Sequence, residues 1–157
     1  MTETKLRTLS AAAFALAVLA GIAEGAVSVA AIHAQQGIDG ALVTQMALRG
    51  LIFAAALVCA WYLAAGRRWA WWALLAGLGV LGLASMVVPM AADLAGGASW
   101  YHTLGGDVSP VMPAIRVLHI GFVVAGVVTM LQPRVRLSLD GAGRPDRVAA
   151  ARAPGHA

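Results

Sequence analysis

Thr8–Ile32 reads TLSAAAFALAVLAGIAEGAVSVAAI, an apolar run broken by a single charged side chain, Glu24. A helix rises 1.5 Å per residue, so about 20 apolar residues cross a hydrocarbon core about 30 Å thick. Ala41–Ala65, Trp69–Leu94 and Val111–Leu131 meet the same length. All are rich in Ala, Leu, Val and Gly, and none alternates with the period of two that a barrel strand needs. In lipid the backbone must satisfy its own polar groups, so these stretches are helices. The expected fold is all-α: an integral membrane bundle of four transmembrane helices over 1–132, in antiparallel up-down order. Its basic remainder, 133–157, reads as a flexible cytoplasmic tail.

Composition points the same way. Of 157 residues, 61% are hydrophobic and 11% charged, which excludes an ordinary water-soluble domain and extensive disorder. A single cysteine, Cys59, excludes a disulfide framework and a Cys-based zinc site. No cofactor is expected.

The isoelectric point of about 10.2 has its origin in topology rather than in nucleic-acid binding. Lys5 and Arg7 precede the first span, Arg67 and Arg68 join the second to the third, and Arg134, Arg136, Arg144, Arg147 and Arg152 follow the fourth. The connections on the other side hold Asp39 and Asp107 and no Lys or Arg. The positive-inside rule then places both termini in the cytoplasm and the protein in the plasma membrane. The first span is longer than a signal peptide's apolar core and is expected to be retained. Trp61, Tyr62, Trp69, Trp71 and Trp72 at one face, and Trp100 and Tyr101 at the other, are expected to form aromatic belts.

Ionisable groups at membrane depth cost several kcal/mol and default to a functional role or a specific pair. Glu24 lies about eight residues, or about 12 Å, short of the outer end of its span. Arg49 lies about as far inside the second span, and Arg116 and His119 about five and eight residues inside the fourth. Three helices thus bring charge to one level in the outer half of the bilayer. Helical phase gives each span a small or polar face: Gly21, Glu24 and Ser28; Gln45, Arg49, Ala56 and Ala60; Gly82, Ser85, Pro89 and Asp93; Arg116, His119, Val123, Gly126 and Thr129. Gly21 and Gly25 form a GxxxG pair suited to close helix approach. The candidate ligand-binding set is Glu24, Gln45, Arg49, Asp93, Arg116 and His119. Glu24 can answer one arginine. Unless Asp93 reaches the other, the pocket is net positive and favours an anionic or carbonyl-bearing guest, because arginine offers a planar donor fork.

Gly77-Leu78-Gly79-Val80-Leu81-Gly82 matches G-x-G-x-x-G, but it lies inside an apolar helix and reads as helix packing rather than a nucleotide loop. A glutamate in span one and the stretch from Trp72 to Gly79 are similar to the small multidrug transporters, also short four-span proteins. Arg49, Arg116, His119 and the tail depart from that pattern, so its proton-coupled mechanism is not carried over.

Three functions fit these residues. The first is binding or transport of a small anionic or polar solute by an outward-facing pocket, in a homo-oligomer. The second is a non-catalytic accessory subunit of a larger membrane complex. The third is a membrane-embedded enzyme with Glu24 or His119 as acid or base.

Overall fold

In a computed structural model, which describes residues 2–36 and 39–135, all regular structure is helical. Helix α1 spans Glu3–Gln36 and α2 spans Gly40–Ala64. The third span divides into α3 (Arg68–Leu74), a π-helical segment (Leu75–Gly82) and α4 (Leu83–Ala95). A short α5 (Trp100–Thr103) precedes α6 (Met112–Met130). The expected tail falls outside the described residues from 136 onward.

Four helical stretches, Thr4–Ala34, Gly40–Ala64, Arg68–Ala95 and Met112–Met130, are long and apolar enough to cross a membrane. Between 6% and 22% of their most apolar windows is buried within the protein. Most of the apolar surface therefore faces outward, an arrangement that water does not tolerate and lipid does.

The turn between α2 and α3 follows from one glycine. Gly66 adopts φ +81°, its N–H donates to the Leu63 carbonyl, and the Arg67 N–H donates to the Tyr62 carbonyl. This is a Schellman ending, which needs the left-handed conformation that glycine adopts without strain. Arg7 of α1 packs against the same turn.

The two ends of the bundle are built differently. At the end holding the Arg67–Arg68 turn, Leu6, Phe14, Leu63, Trp71, Leu74, Met130 and Val135 share one buried cluster. Ser10 Oγ donates to the Gly126 carbonyl at 2.9 Å, and Trp71 Nε1 donates to the Met130 carbonyl at 3.1 Å. These bonds tie α1 and α3 to α6. A Cβ at Gly126 would meet the Phe14 ring at 3.0 Å, so glycine is what lets that ring lie between α1 and α6. At the opposite end α4 buries none of its residues and packs mainly on the π segment and α5. That splay opens a cavity.

Several expectations are corrected. Trp71 belongs to the core, 5% exposed and hydrogen-bonded, whereas Trp61, Trp69, Trp72, Trp100 and Tyr101 are exposed as belts require. Interior faces are not all small or polar, because Phe14, Leu63, Leu74 and Met130 fill the packed end. Gly21 is tightly enclosed, but a Cβ at Gly25 would meet nothing within 4 Å, so the pair does not act as one contact. Between α4 and α6 lies the short α5, where Ser99 Oγ accepts from the His102 N–H. Val135 lies beyond the expected tail boundary yet is fully buried.

Candidate functional site

A cavity of about 460 Å³ opens between α1, α2, α6 and the second half of the third span. Glu24 and Gly21 reach it from α1, Arg49, Ile52 and Phe53 from α2, and Arg116, His119 and Val123 from α6. From the third span come Gly82, Ser85, Met86, Pro89, Met90 and Asp93. Their spacing of three and four marks a single α-helical stripe. A π-helix turns less per residue than an α-helix, so the π segment before Leu83 sets the direction in which this stripe points.

Glu24 organises the charged floor. Arg116 Nε donates to Glu24 Oε1 at 2.8 Å, and His119 Nδ1 lies 3.4 Å from Glu24 Oε2. Arg116 Nη1 also donates to the Thr103 carbonyl at 3.1 Å, tying the charged floor to α5. The Glu24 and His119 side chains are 16% and 14% exposed. Gly21 makes this convergence feasible: a Cβ there would sit 3.0 Å from both His119 Cε1 and Phe53 Cζ.

Five of the six candidate residues, Glu24, Arg49, Asp93, Arg116 and His119, therefore line one cavity. Gln45 does not; it is exposed one turn beyond Arg49. Asp93 does reach the cavity, so two guanidinium groups face two carboxylates and their formal charges balance. With two carboxylates against two guanidinium groups, no excess of arginine selects an anionic guest. Among the described residues, neither the Arg49 nor the Asp93 side chain has a hydrogen bond or ion pair. Ile52, Phe53, Met86, Met90 and Thr103 also line the cavity. Residue type gave no sign of these, because apolar side chains on a membrane helix look alike whether they meet lipid or a cavity.

No protein-family model, curated protein or solved structure matches this chain.

The lining hydroxyls are committed to backbone. Ser85 Oγ donates to the Gly82 carbonyl at 2.7 Å, and Thr103 Oγ1 donates to the Ser99 carbonyl at 3.0 Å. Both Glu24 oxygens face Arg116 and His119. Among the described residues no set of three His, Cys, Asp or Glu side chains gathers in a way that could hold a metal.

Outside the cavity, His102 Nδ1 and Asp107 Oδ2 pair across the connection after α5. The hydrogen bond to Asp107 raises the His102 pKa above its usual 6.5, with the charges of Asp107 and Asp93 adding to the effect.

Proposed function

We propose that this chain is a plasma-membrane protein with four antiparallel spans and both termini in the cytoplasm, whose cavity binds a small polar solute from the extracytoplasmic side. One observation carries the reading: five ionisable side chains from four helical stretches line a single cavity. Charges at that depth are costly and are kept for a purpose. A volume of about 460 Å³ suits a small ligand.

The orientation has support from charge and packing together. Leu6, Leu63, Trp71 and Val135 share a cluster, so their basic neighbours Lys5, Arg7, Arg67, Arg68 and Arg134 gather at one end. By the positive-inside rule that end is cytoplasmic, and the cavity lies toward the other. The tail from 133 is cytoplasmic on the same reading. Acid–base catalysis is disfavoured because Glu24 is already engaged and the lining hydroxyls point at carbonyls rather than at His119.

Assembly is the second reading, favoured by one feature. With no buried residue on α4, a second copy or a larger complex has a free flank to cover. Crosslinking in native membranes separates a monomer from either assembly.

Cysteine accessibility tests the site. With Cys59→Ala as background, Ser85→Cys is expected to react with a membrane-impermeant thiol reagent applied to intact cells. Val88→Cys, 64% exposed and off the cavity stripe, is expected to stay unlabelled. Labelling of Ser85→Cys only in inverted vesicles would reverse the orientation, and no labelling from either side would remove the solute site.

A further inference from the structure

Two of the cavity's charges are answered by the fold and two are not. Arg116 and Glu24 satisfy each other at 2.8 Å, and His119 takes the second carboxylate oxygen. Arg49 and Asp93 also face the cavity, from α2 and α4. Among the described residues, neither is within 4.0 Å of an opposite charge.

Asp93 is poorly placed for stability. It sits in the last turn of α4, where unsatisfied carbonyls already carry partial negative charge. Its own backbone carbonyl is spent accepting the Ala98 N–H at 3.0 Å. Its charge also acts on the His102 ring, without a hydrogen bond between the two. Arg49 presents a donor fork shaped for a carboxylate or phosphate. The same cavity also has an apolar and adaptable lining, Ile52, Phe53, Met86 and Met90.

We propose that the occupant is a zwitterion with a small apolar body, its anionic group on Arg49 and its ammonium on Asp93. A purely anionic guest would leave Asp93 unanswered beside it, and a purely cationic guest would do the same to Arg49. The chemistry is shared by a free α-amino acid and by the headgroup of an aminophospholipid. This inference rests on the cavity being a solute site.

The experiment uses the full chain in dodecyl maltoside micelles, with melting followed by a thiol-reactive dye on Cys59. Four probes are compared at equal concentration: leucine, 4-methylpentanoate (which lacks the ammonium), 3-methylbutylamine (which lacks the carboxylate) and dihexanoyl phosphatidylethanolamine. A two-charge probe is expected to raise Tm by about 3–6 °C at ten times its dissociation constant. The single-charge analogues should leave it within error. A response to leucine identifies a free zwitterion, and a response to the phospholipid alone identifies a headgroup. Arg49→Gln and Asp93→Asn should each abolish the shift, whereas Arg49→Lys and Asp93→Glu, which keep the charges, should retain it. Equal shifts from the single-charge analogues overturn the proposal, as does a shift that survives both neutralising substitutions. If no probe acts while Ser85→Cys is still labelled from outside, the zwitterion is wrong and the solute site stands. If Ser85→Cys is unreachable, the solute site itself has failed.

Discussion

Replacing Glu24 and Arg116, singly and together, tests whether the charged floor of the cavity is a real pair. At 2.8 Å and an effective dielectric constant of about 20, the attraction between the two charges is about 6 kcal/mol before desolvation is counted. Net hydrogen bonds to charged groups are worth about 1.5–3 kcal/mol. Glu24→Gln leaves Arg116 without a counter-charge and removes the carboxylate beside His119. Loss of one partner from a fully buried pair costs about 3–5 kcal/mol. Arg116 is 30% exposed and keeps its bond to the Thr103 carbonyl, so about 2–3 kcal/mol is expected here. That is roughly thirtyfold or more in the folded-to-unfolded ratio. Arg116→Gln should cost less, because His119 remains beside the carboxylate at 3.4 Å. The double variant should cost less than the sum of the two, with a coupling of about 1.5–3 kcal/mol. Arg49→Gln should change stability by less than about 0.5 kcal/mol, since the fold gives that guanidinium no partner. The assay is equilibrium unfolding in mixed dodecyl maltoside and dodecyl sulfate micelles, followed by circular dichroism. Additive single costs would refute the pairing. A large cost for Arg49→Gln would show that the fold, rather than a ligand, uses that residue.

Four further outcomes are expected. Gly21→Ala should destabilise by about 1–3 kcal/mol, because its Cβ would press on His119 and Phe53 at 3.0 Å. Gly25→Ala should be neutral or stabilise by up to about 1 kcal/mol, and the same titration compares the two. Trp71→Phe should cost about 1–3 kcal/mol by leaving the buried Met130 carbonyl without its donor, a loss that Trp72→Phe should not reproduce. The His102–Asp107 contact should respond to pH in a fixed direction. Because the folded state raises the His102 pKa, its stabilisation is complete below 6.5 and fades as pH climbs through the raised value. Imidazole proton shifts measured by NMR should titrate above 6.5, and Asp107→Asn should bring the midpoint back down; an unchanged midpoint would contradict the pairing.

The amino-acid sequence alone determined the four apolar helices, because a bilayer requires a minimum run of apolar residues and leaves no water for unpaired backbone groups. It also set Glu24, Arg49, Arg116 and His119 at similar distances from the ends of their helices, since rise per residue turns position into distance along the axis. Helical phase was enough to align Gly82, Ser85, Pro89 and Asp93 on one stripe. Only the tertiary structure decided that Arg116 and His119 share Glu24, that Asp93 reaches the cavity and that Gln45 stays outside it. Only the tertiary structure took Trp71 and Val135 into the core and let α4 splay. The reason is physical: within lipid one apolar helix face is nearly as good as another, so rotation and tilt are set by side chains from distant parts of the chain meeting at contact distance. Phe14 against Gly126 and His119 against Gly21 are such meetings, and no local pattern announces them.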